Sequence, residues 1–509
     1  MPLAPNKARP TSLQGRVLRI GFGAQFLGAA SLVLVSSLVA AGYSPLPAEA
    51  QIAVRNQGYV PYSDPPINYR TRPLTDPVAL LEKRLEAGEA KLVYEPDHGY
   101  LRSILKLLDI PESSQTLVFS KTSFQYTKIS PDHPRALYYN DDVYVGVVHD
   151  GKALEIISFD PTQGAIFYVL DEPKADQPAF QRAELDCTQC HIAASTRGVP
   201  GVFLRSVYPR TTGALTPRAP SFVTDQKSPW NERWGGWYVT GALASASMGN
   251  GVVDDAAATA ALAPPAVVDG KPAKLNFQLA PLGQSFDPSA YLKPTSDQVA
   301  LLVLAHQTQM HNLITLTNYQ TRLALYAYAK DAGGASADGG TPALDTLPET
   351  VRLQIEKPAE QLLRYLLFVD EAPLGGLDAR KVAAASPYVR DFEARGPRDS
   401  QKRSLRDFDL HDRIFRYPCS YLIYSSAFDA LPEPAKGYVY HRLLQVLSGQ
   451  DQSPDFAGLK AGDRKAILSI LLETKPGLPA EWRDYARTNR LRVAALTSTA
   501  PTSSAPRRD

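Results

Sequence analysis

Residues 154–170 read Leu154-Glu155-Ile156-Ile157-Ser158-Phe159, then Asp160-Pro161-Thr162-Gln163-Gly164, then Ala165-Ile166-Phe167-Tyr168-Val169-Leu170. Two arms of β-branched and aromatic residues flank a segment of turn chemistry, which is the pattern of an antiparallel hairpin. Working outward, Leu117-Val118-Phe119 and the run from Ala136 to Val148 read as further strands, with Asp150-Gly151 as the next turn. The stretch 114–173 is therefore expected to be an antiparallel β meander. Before it, residues 51–80 are rich in Pro, Tyr and Asn and read as an extended lead-in. A short helix is expected from Asp76 to Ala90, with Val78, Leu80, Leu81 and Leu85 at helical spacing.

Beyond the meander the pattern changes. Residues 175–250 are loop-rich, and 251–275 are Ala-, Pro- and Val-rich with little periodicity, as in a surface insertion. A long helix is expected from about Ser296 to Lys330, with Thr295-x-x-Gln298 able to form a capping box. A Gly-, Ala-, Ser- and Asp-rich connection follows over 331–345. Helical segments are then expected at 359–370, 417–430, 437–448 and 462–473, separated by proline-bearing turns. The fold class is thus α+β, with a largely helical C-terminal half.

The composition is that of an ordinary globular protein: 509 residues, 44% hydrophobic and 21% charged, which excludes collagen-like, coiled-coil and wholly disordered classes. Three cysteines cannot build a disulfide framework. The first fifty residues hold Lys7, Arg9, Arg16, Arg19 and Glu49, a net +3, so the formal +2 of the chain leaves −1 for the rest. That balance does not suggest a nucleic-acid partner. Basic residues, an apolar stretch from Ile20 to Gly42 and the sequence Ala48-Glu49-Ala50 form the pattern of a secretory signal peptide cleaved after Ala50. The competing reading is a retained membrane anchor, since the stretch is near the ~20 residues that span a bilayer. Cleavage leaves a soluble, exported, periplasmic protein. Retention leaves it membrane-associated.

Chemistry enters at Cys187-Thr188-Gln189-Cys190-His191. The spacing C-x-x-C-H is that of c-type haem attachment: two thiols one turn apart each form a thioether to one porphyrin, and the adjacent imidazole ligates its iron. A zinc site normally needs four ligands, and the third cysteine, Cys419, is far away in sequence. A thioredoxin-like dithiol needs a βαβ context that is missing around Asp186.

Through Cys187, Cys190 and His191 the chain resembles the c-type cytochromes. The resemblance implies one covalent haem c, thioethers at Cys187 and Cys190, and His191 as proximal iron ligand. The chain as a whole resembles large bacterial exported proteins with a single cytochrome c domain. That likeness runs through Arg233-Trp234-Gly235-Gly236-Trp237-Tyr238-Val239-Thr240-Gly241 and His306-Gln307-Thr308-Gln309-Met310-His311-Asn312. The expected organisation is a signal peptide over 1–50, a β-rich region over 51–174 and a single-haem c segment over 175–250. An insertion or linker follows over 251–294, then a helical region over 295–496 and a disordered tail over 497–509.

The sixth iron ligand decides between carrier and catalyst. Met248 is the first choice, in the loop Ser245–Asn250, and His306 is the alternative. Met310 and His311 share the second candidate's helix, and an open sixth position is the remaining option. Trp230, Trp234, Trp237 and Tyr238 are expected either to pack on the porphyrin or to serve as generic core. Arg197, Arg205 and Arg210 are surface residues or partners of haem propionates. His98, His133, His149, His411 and His441 read as structural, and Cys419 as a buried, inert thiol. Electron transfer with a redox partner protein is the expected function. The alternatives are a haem-dependent oxidoreductase, peroxidase-like or oxygen-using, whose substrate pocket is built by the extra mass, and a haem sensor or subunit of a redox assembly.

Overall fold

The computed structural model describes residues 60–263, 267–268, 271–272, 277–283, 286–331 and 342–493. The signal-peptide and tail segments lie outside the described residues, as does most of the 331–345 connection. The described residues belong to one compact unit that begins at Gln57.

The meander forms as a six-stranded antiparallel sheet in sequential order: β1 (Thr116–Val118), β2 (Arg135–Tyr139), β3 (Val143–Val147), β4 (Ala153–Asp160), β5 (Gly164–Asp171) and β6 (Gln181–Arg182). The hairpin read first is its longest pair, in register from Ala153↔Asp171 to Asp160↔Gly164. Asp160 closes its turn, with Oδ1 accepting from the amides of Thr162 and Gln163 at 2.9 and 3.0 Å. The run Ala136 to Val148 is two strands rather than one. Asn140 Oδ1 accepts from the amides of Asp142 and Val143, and this Asx turn folds the run on itself.

Alternation splits the sheet's side chains between two cores. Val143, Val145, Ile156, Ile166 and Tyr168 pack with Val78 and Leu81 of α1 (Pro77–Glu86) and Ile104 of α2 (Leu101–Leu107). Asp76 caps α1 and also accepts from the Tyr168 hydroxyl at 2.8 Å, tying that helix to β5. Tyr139, Tyr144, Phe159, Ala165 and Phe167 face the other way, into the main core.

Two short helices follow the sheet, α3 (Glu184–His191) and α4 (Asp255–Ala260). The second lies inside the stretch expected to be patternless, where the Asp254 side chain caps it by accepting from the amides of Ala256 and Ala257. The main core is organised by α5 (Gln298–Asp331), a helix of 34 residues in which every position from Gln298 to Thr315 is buried. Its N-cap is Asp297, whose Oδ1 accepts from Val299 and Ala300 at 2.8 and 3.0 Å. Thr295 does not cap it; its carbonyl instead accepts from the Gln115 side chain.

Around α5 pack α6 (Glu349–Leu366), α7 (Ala379–Ala384), α8 (Pro387–Glu393), α9 (Ser426–Asp429), α10 (Glu433–Ser448), α11 (Ala461–Thr474) and α12 (Ala480–Thr488). Three departures from expectation stand out. Helix α6 starts ahead of Pro358 and runs through it, α7 and α8 occupy a region read as irregular, and most of 417–430 is a 3₁₀ turn followed by one helical turn. Among the described residues no helix is long and apolar enough to cross a membrane.

Candidate haem attachment site

Helix α3 carries Cys187, Cys190 and His191 on consecutive turns at the edge of the main core, against β5. Cys187 is half-buried against that core, Cys190 is exposed, and neither is in a disulfide. Leu185, two residues before Cys187 on the same helix, is 70% exposed.

His191 ends α3, and the chain then doubles back on it. Arg197 and Gly198 both take left-handed backbone conformations, at φ +59° and +76°, and reverse the direction. The Thr196 hydroxyl and the Gly201 amide both donate to the His191 carbonyl at 3.1 Å. This return brings the Gly201 carbonyl within 2.8 Å of His191 Nδ1. A carbonyl only accepts, so Nδ1 carries the proton and Nε2 keeps its lone pair. Among the described residues nothing hydrogen-bonds Nε2.

The ring is flanked by Phe167 and Phe203, at centroid distances of 5.1 and 5.6 Å. Burial pulls the His191 pKa below the ordinary value, and nearby Arg135 adds to this. The Gly201 bond and Glu155 oppose it. The imidazole is therefore neutral at pH 7.

Helix α5 fixes the returning loop from behind. Asn312 Oδ1 accepts from the Val202 amide at 3.0 Å and its Nδ2 donates to the Val202 carbonyl at 2.7 Å. One turn earlier Gln309 Nε2 donates to Ser195 O at 3.1 Å, and its Oε1 accepts from Arg197 at 3.3 Å. A Cβ at Gly201 would run into Asn312 Oδ1, so the close approach requires glycine there. Sequence reasoning missed Gln309 and Asn312. The available signal was a run of polar residues on a helix otherwise apolar enough to be central.

The other expected site residues are placed differently. Met248 is buried, with Sδ 3.7 Å from the Ser206 hydroxyl, and Ser206 ends β7 (Leu204–Ser206), which pairs with β8 (Phe222–Thr224). Nothing described joins Met248 to His191. His306 sits between Gln226 Oε1, 2.5 Å from Nδ1, and the Ser420 hydroxyl, 2.8 Å from Nε2. It stacks on Phe368 at 4.5 Å. Both of its nitrogens are engaged in this arrangement. Met310 is fully buried core. His311 donates from Nε2 to the Asp141 carbonyl at 2.7 Å and stacks on Phe159 at 3.9 Å.

Trp237 Nε1 donates to Arg205 O, and Tyr238 donates to Pro131 O, so these two aromatics pin the segment after the motif to its neighbours. Arg197 is drawn inward, Arg205 lies over Phe203, and Arg210 approaches Asp255. Cys419 is fully buried, and burial pushes its thiol pKa well up, as befits an inert core cysteine.

Cavities of about 520 and 300 Å³ are lined respectively around Tyr238–Gly241 and around His98, His149 and Glu172; neither touches the motif. Among the described residues no three His, Cys, Asp or Glu side chains converge to hold a metal ion. Two reduced thiols one turn apart and a neutral imidazole with Nε2 unbonded among the described residues are a donor set that fits a covalent porphyrin. No known protein family, curated protein or solved structure matches the chain.

Proposed function

We propose that the chain is an exported monohaem c-type cytochrome that transfers electrons through a covalently bound haem to a redox partner protein. The observation that carries this reading is the Gly201 carbonyl on His191 Nδ1. Iron-ligating histidines are held this way, by a bond at the distal ring nitrogen that fixes tautomer and orientation. Here the bond sits on the histidine of a C-x-x-C-H sequence.

When bound, haem c supplies one-electron chemistry at its iron. The residues of the chain do the rest. Cys187 and Cys190 tether, and His191 presents Nε2 with its ring orientation set by Gly201. Phe167 and Phe203 keep water from the ring. Low polarity around the site raises the potential by disfavouring the extra charge of the ferric state.

Met248 would supply the sixth ligand. Among the described residues its sulfur takes one long, weak bond, from Ser206, whereas both nitrogens of His306 are taken. The test is the absorption spectrum of the purified ferric protein. Low-spin, six-coordinate iron is expected, converted to high-spin by Met248→Leu. High-spin iron in the wild type that binds cyanide or peroxide rapidly would overturn the carrier reading in favour of a haem enzyme.

A further inference from the structure

The cavity of about 300 Å³ is walled by segments that the sheet brings together. The turn Val148–Gly151 joins β3 to β4, and Glu172 and Pro173 follow β5. The Glu172 amide donates to the Lys152 carbonyl at 2.9 Å, which fixes that end of the hairpin. Opposite strands of a small loop, Glu95 and Gly99, exchange main-chain bonds at 2.8 and 2.9 Å and hold Asp97 and His98 in the wall.

The full charges lining the cavity have one sign. Asp97, Asp150 and Glu172 line it, and no Lys or Arg does. Among the described residues none of the three carboxylates has a Lys or Arg within ion-pair distance; His149 Nε2 stands 3.8 Å from Asp150 Oδ2. Glu172 Oε1 is shut off from solvent and has no hydrogen-bond donor among the described residues. Burial, and after it the Asp150 carboxylate, push the Glu172 pKa up to about 7. Water could donate to that oxygen but would leave the like charges around the cavity unneutralised.

The rest of the wall is aromatic. The Tyr138 hydroxyl donates to Gln115 Oε1 at 2.6 Å and the Tyr291 hydroxyl to Pro134 O at 2.8 Å, while Tyr94 packs edge-on against Tyr100 at 5.1 Å, so all three lining rings are held in place. Among the described residues no three ligating side chains converge as a metal ion requires. Carboxylates spread among fixed rings suit a larger cation with carbon of its own.

We propose that this cavity binds a small alkylammonium ion, its N–H groups directed to Glu172 and Asp150 and its carbon chain lying against the tyrosine rings. The test is calorimetric titration of the full-length protein with 1,4-diaminobutane at pH 8 and constant ionic strength. Parallel titrations use 1,4-butanediol, tetramethylammonium and calcium chloride. Saturable binding of the diamine is expected, with Kd raised roughly tenfold by Glu172→Gln and unchanged by Asp484→Asn on the remote helix α12. Asp150→Asn makes the same test should Glu172→Gln fail to fold, since asparagine tolerates the φ of +54° at that turn. No binding of the diamine overturns the proposal, as does binding that neither carboxamide variant weakens. Equal affinity for the diol would make the cavity merely apolar, equal affinity for tetramethylammonium would remove the role of the N–H groups, and displacement of the diamine by calcium at lower concentration would make it a metal site. Each of these also overturns it. The cavity does not touch the C-x-x-C-H motif, so none of these outcomes bears on the haem reading.

Discussion

At the scale of single residues, His191 is prepared by its neighbours rather than by its own position in sequence. Gly201 reaches it because Thr196 and Arg197 turn the chain, and Asn312 holds the strand that follows. Asn312→Leu leaves both main-chain groups of Val202 without their partners. It should cost about 2–3 kcal/mol in urea unfolding. If haem is attached, it should also alter the spectrum of the proximal ligand; an unchanged spectrum would detach Asn312 from the site. The motif was legible in sequence because its chemistry is local. The job of His306 was not, since its partners stand 80 and 114 residues away in the chain.

The buried histidines also set a pH response. Burial pushes His306 down to about 3 and His311 to about 4. Between those values and the unfolded pKa near ~6.5 the unfolded chain binds protons that the folded chain refuses, so acidification through that window favours unfolding. Asp142 and Glu371, raised by burial to about 7, act in the opposite sense over part of it. His311→Gln removes one of the refused protons and leaves the carboxyl contributions in place. The fall in Tm between pH 6.5 and 4.5 should therefore be shallower than in the wild type. An equal or steeper fall would show that His311 is not held neutral.

Among elements, the hairpin β4–β5 and helix α5 were readable because one has period-two alternation between strong turn residues and the other is too long and apolar to be anything but central. The misread elements share a cause: a local signal taken at face value. Asn140-Asp141-Asp142 is polar punctuation inside a β-rich run, and it makes a turn through one side-chain oxygen. The helix expected at 359–370 begins at Glu349, and α6 accommodates Pro358 in mid-helix, with its carbonyl accepting from Thr317. Asp297→Ala removes the cap of α5 and the acceptor of the Ser386 hydroxyl together. A loss of about 2 kcal/mol, at the upper end for a cap, is expected by chemical denaturation. A loss below ~0.5 kcal/mol would show that packing alone sets where α5 begins.

At the scale of the molecule, the sheet, the segment after the motif and the C-terminal helices contribute to one core, so the later helices brace α5 and, through Gln309 and Asn312, the loop behind His191. Sequence could assign the segments but not this convergence, which depends on pairings between distant residues. The attachment thiols lie at the edge of that core. A Cys187→Ser, Cys190→Ser double variant should keep its far-ultraviolet circular dichroism and its cooperative unfolding while losing bound pigment. Collapse of the fold would make the cofactor part of the core.

The most direct measurement is mass spectrometry of the proteolytic peptide containing residues 187–191, taken from protein exported in a host competent for haem attachment. The account predicts that this peptide carries one porphyrin bonded through both sulfurs, with neither thiol open to alkylation. A peptide of unmodified mass, both thiols alkylating freely, would contradict it.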